Sequence, residues 1–520
     1  MPEREYQAAS IDELSDGSMR QVEVEGTKIL LVRDGEAVHA LGATCPHAGG
    51  PLAEGVRRGD RLVCPWHKAT FCIRTGAVLE PPAVDPLPRF PVRIDGRRIF
   101  LTFPAERPEQ KKPAPDGRRF VIVGAGAAGA VAAQTLREAG FAGRIVMLDR
   151  ENRVPYDRTV LSKYFLSGEK GGEKSPLQKQ SFYNEHRIER RTAEVTRIDP
   201  RQRRITCADG AVLDYDAALL ATGGAPRRPA IPGADLGNVF LLRSRADADA
   251  ILAQAERSER AVIFGASFIG MEVAASLRER GLDVTVVGKE KAPFEKQFGA
   301  RVGSTFIALH ERHGVAFRLG CGVAALDGDA DVRGVSLENG ERLAADLVVI
   351  GFGGTPVTSY AADLPRAKDG GIMVDAHLAA ADGLYAAGDI ACFPHRGDGD
   401  PIRVEHWRVA EQHGRVAALN MAGQRVCYDA VPVFWTIQYL KRLDYIGHAA
   451  AWDELVVHGD LEKPEFLAYY VKDGRVAAAA GLDRDKDTAA LIELFSMRRN
   501  WSAAELGDSP SSVLASVATA

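Results

Sequence analysis

Two short segments of this chain bring together side chains that bind metals. Cys45-Pro46-His47 is followed by sixteen residues and then by Cys64-Pro65-Trp66-His67, a spacing of C-x-H and C-x-x-H. Two thiolates and two imidazoles can hold one tetrahedral zinc ion. Zinc sites with this donor set usually draw both Cys from one loop and both His from the other. Here each loop supplies one of each. That suits a [2Fe–2S] cluster in which the Cys pair holds one iron and the His pair the other. Cys45, His47, Cys64 and His67 are therefore the candidate metal ligands.

Two glycine-rich loops point to a second kind of chemistry. Gly124-Ala125-Gly126-Ala127-Ala128-Gly129 follows the apolar run RRFVIV and opens an Ala-rich helix. The first Gly makes the turn, the second lets backbone approach a pyrophosphate, and the third packs helix on strand. Asp149 and Glu151 end the next strand, where an acid can take ribose hydroxyls. The same grammar returns at Gly265-Ala266-Ser267-Phe268-Ile269-Gly270, where Ser267 replaces the middle Gly. Two such units imply two nucleotide-binding βαβ domains.

The elements that must position these groups follow from pattern. Before residue 103, short β-prone runs such as KILLVR and RRIFLTF alternate with Gly-bearing turns, the mark of a small all-β domain. Pro104 to Arg119 carries four prolines and no aliphatic residue larger than Ala, and reads as a semi-rigid tether. After about Ala430 aromatic and β-branched runs alternate, suggesting an α+β module. The residues from Leu506 onward read as a loosely held tail. The 520 residues are 46% hydrophobic and 26% charged, with a net charge of −4, the balance of a folded protein of several domains. That charge is too weak and too mixed to imply nucleic acid or an anionic membrane as partner. Seven scattered Cys exclude a secreted disulfide scaffold, and no signal-peptide or membrane-spanning stretch is evident, so the expected compartment is the reducing cytoplasm.

Two resemblances sharpen these expectations. The Cys/His loops resemble those of Rieske [2Fe–2S] domains, over about residues 5–103. The loops lack the additional disulfide-forming Cys of respiratory Rieske proteins, so the likeness is to the ferredoxin-type domains of oxygenase systems. Lys68 stands where that group usually has Gly; a cation there either favours the reduced cluster or points into solvent. Farther on, Pro155-Tyr156-Asp157-Arg158-Thr159-Val160-Leu161-Ser162-Lys163 resembles the P-Y-x-R-x-x-L-S-K motif of FAD-dependent pyridine-nucleotide reductases of the ferredoxin-reductase and apoptosis-inducing-factor kind. Ala221-Thr222-Gly223 and Gly388-Asp389 resemble that group's later FAD segments, with Gly353 counted among the nucleotide-site glycines. The resemblance implies FAD at the first loop, with Arg158 and Lys163 in the site, Glu151 as ribose ligand and Asp149 as runner-up. It implies a nicotinamide nucleotide at the second loop (Gly265, Ser267, Phe268, Ile269, Gly270). Glu290 is the candidate ribose ligand there and favours NADH, while Lys289 leaves NADPH possible. Lys163 and Glu272 are expected to pair beside the flavin, and Glu405-His406-Trp407 to cover it, Trp407 as a lid or electron contact.

The implied fold class is multidomain. An N-terminal all-β Rieske domain (1–103) and a linker (104–118) precede two Rossmann-like α/β nucleotide-binding domains, for FAD (119–240 and 353–428) and NAD (241–352). A C-terminal α+β domain (429–520) completes it. The implied function is electron transfer from NADH through FAD to the [2Fe–2S] cluster and on to a protein acceptor such as an oxygenase or ferredoxin, by a monomer or homodimer. The rival is a redox sensor like apoptosis-inducing factor that forms a stable complex with NADH. Disulfide reductases of the superfamily carry C-x₄-C after the first glycine loop. Residues 140–206 contain no Cys, so thiol chemistry of that type is excluded.

Overall fold

The computed structural model describes residues 4–103, 116–168, 176–395 and 401–518. Most of the expected tether, 104–115, lies outside them. The chain divides into two compact units, one of residues 1–113, 444–458 and 469–520, the other of 114–443 and 459–468. Among the described residues no helix is long and apolar enough to cross a membrane.

The first hundred residues form three small antiparallel sheets. The run Ile29-Leu30-Leu31-Val32 lies in the strand Thr27–Asp34 with all four side chains fully buried. Strand residues point alternately to opposite faces, so an unbroken apolar run needs cover on both. Leu30 and Val32 enter one core cluster, with Cys45 and Cys64, while Ile29 and Leu31 enter another, with Ile99 and Leu101. The first Cys/His loop follows the strand Ala37–Gly42. The second is the turn between Arg61–Val63 and Thr70–Cys72, which pair antiparallel.

The first glycine loop sits in a sheet ordered Ile188–Thr192, Arg144–Asp149, Arg119–Val123, Ala217–Leu220, Leu384–Ala386, Ala379–Ala381. All neighbours are parallel except the last pair. The second loop sits in a parallel sheet ordered Val239–Leu241, Leu347–Ile350, Arg260–Phe264, Asp283–Gly288, Ala316–Leu319. In both sheets the strand before the loop is interior and its parallel successor lies beside it, the doubly wound arrangement that leaves a crevice at the strands' carboxyl ends. The helices that open at the loops are α1 (Ala127–Glu138) and α2 (Phe268–Glu279); α3 (Trp407–Met421) packs along α1.

The C-terminal sheet runs Val433–Gln438, Lys441–Gly447, Arg475–Leu482, Glu465–Lys472, Glu454–Asp460. It is followed by α4 (Asp485–Ser496) and, after a short helix, α5 (Pro510–Ala518). The expectation of a loose tail is corrected here. Leu506 and Leu514 are 0% and 1% exposed, α5 packs on α4, and the Tyr469 hydroxyl donates to Gly507 O at 2.8 Å. Pro510 occupies the first helical position, where its missing N–H costs nothing, and that start signal outweighs the small side chains around it. Replacing Leu514 by Ala should therefore cost about 2–4 kcal/mol, read as an earlier urea transition of the segment bearing Trp501. A transition unmoved by the change would return these residues to a loose tail.

Candidate functional site

The four candidate metal ligands meet as two pairs. Cys45 and Cys64 are buried, and their thiols share a hydrogen bond that pushes Cys45 up and draws Cys64 down to about 7. Backbone N–H groups of His47 and Ala48 reach the Cys45 sulfur, and those of Trp66 and His67 the Cys64 sulfur. Such donors stabilise thiolates as metal ligands. The His47 and His67 rings stand edge to face, half-buried, with centroids 4.8 Å apart. Among the described residues, no three Cys, His, Asp or Glu side chains are placed as ligands of a single ion. A sulfur pair beside an imidazole pair fits a two-iron cluster better than one zinc. Gly50 is needed for space, since a Cβ there would lie 2.8 Å from Cys64 Sγ. Lys68 does not point into solvent; it is fully buried.

The two glycine loops repeat one construction. Gly124 and Gly265 have φ of +102° and +116°, the left-handed region that glycine favours. Cβ atoms there would lie 2.3 Å from Ala221 O and 2.5 Å from Gly351 O. Each loop is thus pressed against the turn after the neighbouring strand, at the topological switch point. Gly126 is the N-cap of α1, and Ala127, Ala128 and Gly129 form its buried first turn. At the second loop Ser267 does more than stay small, because its hydroxyl accepts the Gly270 N–H at 3.2 Å and caps α2. Phe268 stacks on Phe294 at 4.5 Å, and Ile269 is exposed.

Beside the first loop, a cavity of about 280 Å³ is lined by Ala125, Asp149, Glu151, Asn184, Arg190 and Thr192 among others. Burial raises the Asp149 carboxyl above its ordinary value. Glu151 also lines the cavity, and its oxygens already take Arg158 at 2.6 Å and the Tyr156 hydroxyl at 2.8 Å. The crossover segment and the later acid converge as well. Thr222 Oγ1 donates to Val357 O at 2.7 Å, and a Cβ on Gly223 would lie 3.7 Å from Asp389 Oδ2, which accepts from Arg243 at 3.1 Å. The Gly388 N–H donates to His413 Nδ1, and Gly353 O accepts the Arg227 N–H.

Between the loops lies a buried ion pair. Lys163 Nζ is 2.9 Å from Glu272 Oε2, and the two side chains are 9% and 5% exposed. Ser162 Oγ donates to the same oxygen at 2.5 Å and Thr436 Oγ1 to Oε1 at 2.7 Å. His406 lies near: burial first and the Lys163 charge second push it down to about 3, and it accepts the Trp435 N–H at 3.2 Å. Trp407 turns its indole N–H to Glu411 at 3.0 Å, one turn along α3. Glu405 is exposed and pairs with Arg403. In the second nucleotide domain Glu290 has Lys296 3.7 Å away, while Lys289 is held by Glu338 at 2.8 Å.

Residues 118–414 match the family described as pyridine nucleotide-disulphide oxidoreductase, 4–91 the Rieske [2Fe-2S] domain and 433–517 the reductase C-terminal domain. The chain belongs to the pyridine nucleotide-disulphide oxidoreductase family. It is 35% identical over 508 residues to apoptosis-inducing factor 3 of Mus musculus, covering 94% of this chain and 83% of that one. It is 36% identical to the ferredoxin reductase subunit of the 5,5'-dehydrodivanillate O-demethylase of Sphingobium sp., covering 71% and 90%. A covalent putidaredoxin reductase–putidaredoxin complex matches it structurally with a TM-score of 0.74 at 29% identity, over 78% of this chain and all of that one. This member of the oxidoreductase family is thus an NAD(P)H-dependent flavoprotein of the ferredoxin-reductase kind with a Rieske domain. Its cofactors are FAD, NAD(P)H and a [2Fe–2S] cluster.

Sequence reasoning missed the hydroxyls that hold Glu272. Ser162 lies inside the L-S-K motif and Thr436 inside the Phe434-Trp435-Thr436 run, so a search of those motifs for donors to a buried acid could have found both. Nothing in the sequence pointed to Arg243.

Replacing Gly50 by Ala should expel the cluster from the paired ligands, measured as iron per chain falling well below the parent value while the ellipticity of the other domains is kept. Full iron loading would show that this loop does not close on Cys64. A second expectation concerns acid. His310 and His413 are wholly buried, and burial pushes them down to about 4 and about 3, below the ~6.5 of an unfolded chain. The unfolded state then binds protons that the folded state refuses. Stability is complete above pH ~6.5 and falls as pH drops towards 4, by up to ~1.4 kcal/mol per pH unit for each group. Urea midpoints taken from pH 7.5 to 4.5 should record this slope, and His413→Asn should reduce it.

Proposed function

We propose that this chain carries electrons from NADH through FAD to its own Rieske cluster and from there to a protein acceptor. Bound FAD accepts hydride from the nicotinamide, and the cluster takes electrons one at a time. The buried Lys163–Glu272 pair carries this reading, in a chain that also holds the paired Cys and His loops. Lys163 brings a positive charge where negative charge grows on flavin reduction, in surroundings with little water to screen it. Glu272 keeps that ammonium in place, and Ser162 and Thr436 fix Glu272 from two other segments, so the charge is set before the reaction begins. His406, held neutral, accepts a backbone N–H and adds no second cation. The glycine loops would supply N–H groups to the diphosphates, and the shared cavity beside the first loop supports Glu151, with neighbouring Asp149, as ligand of the FAD ribose. Gly265, Ser267 and Gly270 hold the nicotinamide nucleotide. Lys289 is held more closely by Glu338, at 2.8 Å, than Glu290 is by Lys296, at 3.7 Å, which supports Glu290 as ribose ligand and NADH over NADPH. Trp407 and Glu405 flank the start of α3 as cover for the site. The names of the relatives, reductase components of oxygenase systems, support a ferredoxin or oxygenase as acceptor.

A sensor role is the second reading, supported by the likeness to apoptosis-inducing factor 3 across the Rieske segment as well as the reductase. One experiment separates the two. On mixing the holoenzyme with NADH, the yellow absorbance should bleach, and the cluster signal should then change at a rate independent of protein concentration. Glu272→Gln should slow the bleaching by about 10²-fold, the usual loss when one preorganised electrostatic group is removed. A cluster signal that never changes, or a long-lived charge-transfer band with slow reoxidation, would replace electron transfer by sensing.

A further inference from the structure

Lys68 follows the cluster ligand His67 directly and stands in left-handed backbone, with φ +65°, at a position where its side chain is fully buried. Neither property is cheap. Left-handed backbone is unfavourable for any residue with a Cβ, and a buried ammonium is tolerated only with partners. The partners come from two domains. The Lys68 ammonium donates to the carbonyl of Pro65, inside its own cluster loop. It lies 2.8 Å from Asp444 Oδ2, in the C-terminal sheet, and donates at 3.1 Å to Asp485 O, at the start of α4. Asp444 is itself buried, and the same oxygen accepts the Thr488 hydroxyl at 2.9 Å.

A second grip lies along α4. Glu493 is fully buried and accepts from Arg58 Nε at 2.7 Å and Arg61 Nε at 2.9 Å. Arg58 also donates to Ser496 Oγ at 2.8 Å. These arginines belong to the hairpin Val56–Arg58 and Arg61–Val63, which leads straight into Cys64. The hairpin before the second cluster loop and Lys68 within that loop are thus both fastened to one helix and its adjoining strand. All these residues lie within one compact unit of the chain.

We propose that Lys68 is a positioning residue that bolts the second cluster loop to the C-terminal domain, which thereby acts as the resident docking partner of the iron–sulfur domain. The cluster domain is thus a docked carrier, held against the helix and strand of its own compact unit. The docking itself does not rest on the electron-transfer reading; only its use does. Because one member of the ion pair adjoins a ligand, unbalancing the pair changes the charge felt at the cluster. Removing the lysine leaves a carboxylate and disfavours reduction; removing the carboxylate leaves an ammonium and favours it.

The test uses the full holoprotein in three variants. Lys68→Gly deletes the ammonium while relieving the backbone, Asp444→Asn deletes its partner, and Glu493→Gln weakens the second grip. Amide hydrogen exchange should quicken by roughly tenfold or more in Lys441–Gly447 and the first turn of α4 in the first two variants, and along α4 in the third. Exchange in Thr27–Asp34, in the core of the iron–sulfur domain, should stay at the parent rate in all three, so that release of the dock is told apart from unfolding. The cluster midpoint potential should move down in Lys68→Gly and up in Asp444→Asn. Unchanged exchange in all three variants, equal loss of protection in Thr27–Asp34, or parent potentials in both lysine-pair variants would each overturn the proposal. A failure of NADH to reach the cluster with exchange behaving as stated would instead overturn the electron-transfer reading and leave the dock standing.

Discussion

A carboxylate without water must find its counter-charge and donors in the protein, and this requirement shapes the centre of the molecule. Glu272 sits in the second nucleotide domain, Lys163 and Ser162 in the first, and Thr436 in the chain beyond both. Removing one partner from such a group typically costs 3–5 kcal/mol, because the remaining charge stays buried and unpaired. The three segments are therefore held in one arrangement by a single acid. The same rule works at Glu493 with its two arginines and at Asp444 with Lys68. These ion pairs add less to stability than their number suggests, since the desolvation of each charge offsets most of the attraction. What they supply is uniqueness of geometry. Electron transfer and hydride transfer both depend steeply on geometry.

The nucleotide loops show a different constraint, that of backbone meeting backbone. A strand, a tight turn and a helix can leave a crevice for a diphosphate only if the turn presses on the neighbouring crossover, and the missing Cβ atoms at Gly124 and Gly265 allow it. This explains why the loops were legible from sequence: the requirement falls on a few positions at fixed spacing, and side chains elsewhere are free to vary. Ser267 shows the tolerance of the pattern. A hydroxyl that caps the helix replaces a glycine without closing the approach. The Rieske domain was legible for the same reason, since the type and spacing of its Cys and His residues are themselves the signal.

Pattern ran out where partners come from distant segments. The pairing of Lys163 with Glu272 was expected only because both lie in motifs resembling a known group. The hydroxyls that complete it are ordinary Ser and Thr in sequence. Lys68 illustrates the limit more sharply. Its neighbour His67 stands out by type and spacing, yet whether the lysine faced cluster, solvent or another domain could not be read, because Asp444 lies 376 positions away. The C-terminal helix was misjudged for a related reason: small residues look like a tail until Leu506 and Leu514 are seen to be buried.

The family name includes disulphide chemistry, and the placement of sulfur in this chain decides whether that part applies. A flavin that passes electrons through a disulfide of its own chain needs two cysteines within bonding reach of each other and beside the ring. Residues 140–206, where such a pair would follow the first glycine loop, contain none. The thiols that do share a hydrogen bond are Cys45 and Cys64, and they belong to the Rieske loops, with imidazoles alongside and backbone N–H groups directed at their sulfurs. Joining these two sulfurs to each other would remove the donors that iron requires. That sulfur pair lies in the segment matched by the Rieske domain and not beside the first glycine loop, so the dithiol on which the family's disulphide chemistry depends has no counterpart in residues 140–206.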